Sequence, residues 1–223
     1  MAERRAVDPL LPLEWLSRRN FALPCASNLL ANFAYLGGFF LTPLLLERGF
    51  GYSVSHAGYL QIARPLTFSI AAPVAGYLAV RTGERAAAVS GMAVIVLSML
   101  LFASLQAPGN DLFVVVALAL SGLGMGVATP SISASVANAV EIERMGAASA
   151  AMQMAGQVGA VAGIQIMETV QVARQHALGV VGSFSSAYLV GATAAGLGLL
   201  AAVFIRRSVP REVPFVAVEP MVG

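Results

Sequence analysis

Arg64 is the residue whose chemistry fits its surroundings least well. It stands about eight residues inside a long apolar run, residues 56–80, which is about 12 Å along a helix at 1.5 Å per residue. A guanidinium keeps its charge and offers five donors in a planar fork that suits oxyanions. An arginine near a bilayer centre costs about 2.5–3.5 kcal/mol on insertion scales, so it faces protein or a wet cavity. Gln61, three residues earlier, shares its helical face. Two readings of Arg64 stand: contact with a substrate or other anion, or a structural arginine that bonds helix carbonyls or reaches toward the outer surface. Asn28, Asn32 and Tyr35 fall at i, i+4 and i+7, which makes a polar stripe on one helical face. Ser149, Gln153, Gln157, Gln165 and Glu168 gather in the same way further on. Amides on such faces either line a water-filled path without the cost of buried charge or bond between helices. Glu168 is the one acid placed inside an apolar segment, near its end. It is the weak candidate for proton coupling, against a solvated end residue near Arg174.

Signals for bond-making chemistry are missing. His56 and His176 have no metal-ligand spacing with an acid or cysteine, and no HExxH, P-loop or paired-carboxylate motif occurs. No catalytic residue, metal site or cofactor is expected, and the chain reads as a non-enzyme. Gly122-Leu123-Gly124-Met125-Gly126 resembles part of a dinucleotide fingerprint but lies within a charge-free apolar run, where helix packing is the better reading. No basic patch is interleaved with aromatics, so nucleic acid is not an expected partner.

The elements that hold these residues are membrane segments. The 223 residues are 58% apolar and 11% charged, with mean hydropathy +0.79. Soluble domains run at about 45–50% apolar and about 25% charged. Cys25 is the only cysteine, so no intrachain disulfide can form. No removable targeting segment is expected, because the first apolar run is too long for a signal-peptide core and ends without a cleavage site. A spanning helix needs about 20 apolar residues. Six segments qualify: residues 21–46, 56–80, 86–105, 112–140, 147–170 and 184–205. The connections fall at 47–55, 81–85, 106–111, 141–146 and 171–183. The runs lack period-two alternation, which favours helices over barrel strands.

The chain has thirteen arginines and no lysine. Six spans put both termini on one side with loops 81–85 and 141–146. That side collects ten arginines, against Arg48 and Arg174 on the other. The positive-inside rule then makes both termini cytoplasmic. The expected organisation is a cytoplasmic segment 1–20, a six-helix transmembrane domain 21–205 and a cytoplasmic tail 206–223, in a cell (plasma or inner) membrane.

Gly122 with Gly126, Gly159 with Gly163, and Ala192 with Gly196 have the small-xxx-small spacing of close helix contacts. Pro24, Pro43, Pro65, Pro73 and Pro130 lie inside spans. A kink is expected at Pro130, where Thr129, Ser131 and Ser133 can bond a freed carbonyl. Residues 59–64 (Tyr-Leu-Gln-Ile-Ala-Arg) match residues 151–156 (Ala-Met-Gln-Met-Ala-Gly) faintly, as two inverted three-helix units would arrange them.

Three stretches carry a family resemblance. Residues 76–85 read Gly-Tyr-Leu-Ala-Val-Arg-Thr-Gly-Glu-Arg. Residues 11–21 read Leu-Pro-Leu-Glu-Trp-Leu-Ser-Arg-Arg-Asn-Phe. Residues 122–130 are followed by Gly146-Ala147-Ala148-Ser149 and Gln157-Val158-Gly159. In order and spacing the chain resembles the C-terminal six-helix half of a major facilitator superfamily transporter, most like the fourteen-helix drug/proton antiporter branch. The resemblance implies an all-α half-bundle of two inverted three-helix repeats. It implies alternating-access transport of small molecules, commonly efflux of lipophilic drugs, against a second six-helix half. That half would be a separate chain, a second copy or an N-terminal half. In the signature loop, which also carries Gly83, it implies that Gly76 lets helices pack closely. Arg81 and Arg85 would serve as the cationic side of a conformational latch. The family's acid is replaced by Val80, so Glu141 or Glu143 is the expected partner of Arg81. The family's arginine before the fifth-helix glutamine is replaced by Gly156. The alternative is a non-transporting membrane interaction protein or a transporter remnant.

Overall fold

A computed structural model describes residues 19–205, without the side chains of residues 78–82. The expected cytoplasmic segment and tail lie almost wholly outside these residues. The described backbone is all helix and turn. Helix α1 is Arg19–Leu44, and it runs into a π-helical turn, Leu45–Gly49. Then follow α2, Val54–Gln61; α3, Ala63–Thr82; α4, Glu84–Ser104; and α5, Asp111–Ala137. After a 3-10 turn, Ile142–Arg144, α6 runs from Met145 to Val203. Four helical stretches are long and apolar enough to cross a membrane: Arg19–Gly49, Glu84–Ser104, Asp111–Ala137 and Ile142–Val203.

Two sequence expectations need correction. The second segment is not one helix but breaks at Ile62. Pro65 has no N–H to give the Gln61 carbonyl four residues back, and its ring crowds that carbonyl. The chain tightens there instead, with Ile62 N–H donating to the Tyr59 carbonyl at 3.3 Å. Residues 171–183 are not a loop either. They are helical except at Gly179, whose φ of 72° and ψ of 178° suit a residue without Cβ.

That one glycine reverses the chain. Straight, the 59 residues of α6 would extend about 88 Å at 1.5 Å per residue. Both of its ends instead meet the same turn of α1. Asn28 Nδ2 donates to the Met152 carbonyl at 2.9 Å, and Ser27 Oγ donates to the Gly198 carbonyl at 3.1 Å. Across the bend Gln171 Nε2 donates to Ser183 Oγ at 3.1 Å. Helix α6 is a hairpin of two limbs.

Glycines set the closest approaches. A Cβ on Gly159 or Gly163 would strike the Leu29 or Phe33 carbonyl of α1, and one on Gly122 would strike the Arg64 carbonyl of α3. Gly91 and Gly124 sit back to back between α4 and α5. Without a hydrophobic drive between helices in lipid, such contact supplies dispersion energy. Gly76 and Gly196 do not act this way: a Cβ on either meets nothing. Gly76 makes no close helix contact among the described residues. At Pro130 the hydroxyls of Thr129, Ser131 and Ser133 bond the carbonyls of Met125, Val127 and Thr129. The carbonyl that Pro130 leaves is that of Gly126, so these hydroxyls brace its neighbours and α5 continues without a break.

The central core joins Leu41 and Leu45 with Met92, Ile95, Met99, Phe102, Leu118 and Tyr188. Where the loops 50–53 and 106–111 meet, a polar cluster ties them. Tyr52 Oη donates to Asp111 Oδ1 at 2.7 Å and accepts the Gly109 N–H at 3.0 Å. His56 Nε2 lies 2.9 Å from Asp111 Oδ2, with its ring stacked on Tyr52. The His56–Asp111 pairing is long-range and has no spacing signal in the sequence.

Candidate functional site

One face of α1 organises the polar interior. Asn28, Asn32, Tyr35 and Phe39 recur at helical spacing along it. Asn28 is buried by its bond to the Met152 carbonyl. Asn32 Nδ2 donates to both the backbone and side-chain oxygens of Asn28, at 2.9 and 3.1 Å. The two amides form a ladder across one turn. Each neutral bond contributes about 0.5–1.5 kcal/mol net, so the ladder fixes orientation more than it stabilises the fold.

Facing this ladder is a cavity of about 150 Å³ between α1, α5 and the first limb of α6. Asn28, Asn32, Thr129, Gln153 and Gln157 supply its polar lining, and Leu36, Met125 and Met152 its apolar walls. Gly156 also lines it. A Cβ there would come within 2.9 Å of Asn28 Nδ2 and 3.3 Å of Asn32 Nδ2. The asparagine amides thus occupy the space that a side chain at position 156 would need. Four of the sequence-predicted path residues converge here: Asn28, Asn32, Gln153 and Gln157. Gln61 is half-buried and lines no part of the cavity.

Tyr35 and Arg64 meet further along the same face. Arg64 is 1% exposed, the largest fully buried side chain described. Its Cζ lies 5.2 Å from the Tyr35 ring centre, 5.6 Å from Phe39 and 5.9 Å from Phe102. Phe102 in turn stacks on Tyr188, whose hydroxyl is 3.1 Å from Thr42 Oγ1. Cation–π contacts are worth about 2 kcal/mol or more when desolvated, which offsets part of the cost of burying the charge. Nη1 donates a long bond, 3.5 Å, to the Tyr35 carbonyl. Nε and Nη2 have no partner among the described residues. The outward-reaching reading of Arg64 is thereby excluded, since the side chain is inside the protein. Phe39 and Phe102 escaped the sequence reading. Phe39 was discoverable as the next step of the 28–32–35 stripe, whereas Phe102 arrives from a distant helix.

The remaining candidates are dispersed. Glu168 and Arg174 are both exposed, and no ion pair joins them. Gly83 turns the chain between α3 and α4 with φ of 89°. Glu84, beside it, accepts from Ser135 Oγ at 3.1 Å and from Asn138 Nδ2, tying α4 to the end of α5. Arg85 is exposed, and the Arg81 side chain lies outside the described set, as does its expected pairing with Glu141 or Glu143. A larger concavity of about 590 Å³ between α3, α4 and α5 is apolar except for Thr67 and Ser90 and contains none of the predicted residues.

The sequence pattern of the Major Facilitator Superfamily matches residues 15–220. The chain belongs to the major facilitator superfamily. It is 28% identical over 168 residues to the multidrug resistance protein Stp of Mycobacterium tuberculosis, covering 75% of this chain and 31% of that protein. It is 23% identical over 174 residues to the multidrug transporter protein MdtP of Bacillus subtilis, covering 78% and 32%. The lincomycin resistance protein of Streptomyces lincolnensis is 28% identical over 218 residues, covering 94% and 44%. The chain thus spans between about a third and somewhat under half of these relatives' length. As a member of the superfamily with several apolar helices, it is a multi-pass membrane protein.

Proposed function

We propose that this chain forms one half of a secondary transporter that moves small molecules across the cell membrane by alternating access, with drug efflux as its activity. The observation that carries this is the amide-lined cavity of Asn28, Asn32, Gln153 and Gln157, which gives a membrane-embedded wall hydrogen-bonding groups without net charge. Uncharged donors and acceptors beside methionine suit lipophilic solutes with scattered polar atoms. The relatives' names, multidrug resistance and lincomycin resistance, support efflux.

In this reading six segments cross the bilayer as two inverted three-helix repeats, α2 with α3 making one crossing and the two limbs of α6 making two. Both termini are cytoplasmic, on the arginine count. A second six-helix half completes the path, and the exposed apolar row Leu66, Ile70, Val74 and Tyr77 of α3 faces it or lipid. The 76–85 loop forms part of the cytoplasmic latch, and Glu168 is the acid in this half available to coupling.

The test is ethidium efflux from cells or inverted vesicles holding the chain alone and together with a matching N-terminal half. Efflux lost in Asn32→Leu and Gln157→Leu supports the reading. No efflux in either setting, with the protein correctly inserted, favours a non-transporting membrane interaction protein.

A further inference from the structure

We infer that the Nε–Nη2 edge of Arg64 is an anion subsite, built for a planar two-oxygen anion such as the carboxylate of a transported solute. This rests on the reading of the α1 face as a path wall and extends that wall beyond the amide cavity.

The two guanidinium atoms without partners are not a random pair. Nε–H and the nearer Nη2–H lie side by side on one edge, pointing the same way, which is the edge that grips a carboxylate through two parallel bonds. The other nitrogen, Nη1, is the one already engaged, by the Tyr35 carbonyl at 3.5 Å. Three aromatic rings crowd the cation, and no acidic side chain pairs with it among the described residues. A buried charge is retained at a cost unless something pairs with it. The rings supply a medium of low dielectric in which an arriving anion would be held more strongly than in water.

The surroundings leave one side of the cation thinly covered. The backbones of α1 and α3 make no close approach among the described residues, so the Arg64 side chain itself spans the distance from α3 to Tyr35 and Phe39 of α1. Of the ring neighbours, Phe102 is 1% exposed but Phe39 is 41% exposed. Phe39 is the movable wall, and its displacement would uncover the guanidinium without disturbing the core. It stands one helical turn beyond Tyr35 on the Asn28–Asn32–Tyr35 face. A solute in the amide cavity would therefore find the cation further along the same wall.

The probes are para-fluorobenzoate and its neutral counterpart para-fluorobenzamide, titrated by fluorine NMR against the full chain in phosphatidylcholine nanodiscs. Wild-type protein should hold the benzoate at least about tenfold tighter than the amide, the scale of one charge-assisted pair. Arg64→Leu should abolish that preference. Arg64→Lys should weaken it, because an ammonium has no fork. Phe39→Ala should keep the preference and speed exchange. Asn32→Leu should weaken both probes alike and leave their ratio unchanged. Equal affinity for the two probes in wild type overturns the subsite, as does an undiminished preference in folded Arg64→Leu protein. If that variant does not fold, a preference undiminished in Arg64→Lys overturns it. Probe binding indifferent to Asn32→Leu counts instead against the path reading.

Discussion

The Arg64 guanidinium lies 5.2 Å from the centre of the Tyr35 ring while its Nη1 reaches the Tyr35 carbonyl. One residue of α1 thus holds the buried cation twice, by ring and by backbone. What Tyr35 leaves open is the Nε–Nη2 edge. An unpaired buried charge carries a desolvation cost that an apolar residue of similar bulk does not. Arg64→Leu should therefore melt at or above the wild-type temperature in detergent. A fall of several degrees would mean that the arginine is structural.

Gly156→Ala should damage the amide site selectively. The new methyl would stand 2.9 Å from Asn28 Nδ2 and 3.3 Å from Asn32 Nδ2. One of the two amides must turn away, which costs about 1–3 kcal/mol through strain or a lost bond. Thermal unfolding should show that loss, and binding of lipophilic probes should weaken with it. Gly76→Ala, where a Cβ meets nothing, is the matched control and should leave both unchanged.

The hairpin in α6 predicts a cross-link. Gln171 and Ser183 bond across the Gly179 bend, so cysteines at both positions, in a Cys25→Ser background, should form a disulfide under mild oxidation. A continuous straight helix would put those positions about 18 Å apart, and the absence of any cross-link would contradict the bend.

The loop cluster predicts an alkaline limit. Its hydrogen bond to Asp111 raises the Tyr52 hydroxyl above its ordinary pKa, with the Gly109 N–H opposing by a smaller amount. A group raised on folding contributes stability fully below its unfolded pKa and loses it as pH rises through the folded value. The tie between loops 50–53 and 106–111 should hold at neutral pH and fail above the ordinary phenol range. Ultraviolet titration of the phenolate should show Tyr52 ionising above the ordinary phenol range, Asp111→Asn should bring that titration down, and Tyr52→Phe should remove it.

The sequence displayed the stripes but not what meets them. Asn28, Asn32 and Tyr35 announce one face by spacing alone, and Gln153 and Gln157 another; their convergence follows from two faces that each prefer polar company. The reversal between residues 170 and 184 was legible, but the helical form of the connection was hidden because Gln171, Arg174, Gln175 and His176 look like loop residues. A helix can extend past the apolar slab and keep its polar side chains wet, leaving the reversal to Gly179 alone. The break before Arg64 was implicit in Pro65, one of five prolines with equal claim on the page. The aromatic cage joins α1, α3, α4 and the last limb of α6, and such long-range company carries no local signal.

The central claim is that the α1 amide face lines a solute path. Thiol labelling tests it most directly: Asn32→Cys and Gln157→Cys in a Cys25→Ser chain, in proteoliposomes, with a membrane-impermeant maleimide, and exposed Leu197→Cys as the lipid-facing control. The account predicts that both path cysteines react, that Leu197→Cys does not, and that ethidium slows the path cysteines alone. Path cysteines as inert as Leu197→Cys, or indifferent to ethidium, would contradict it.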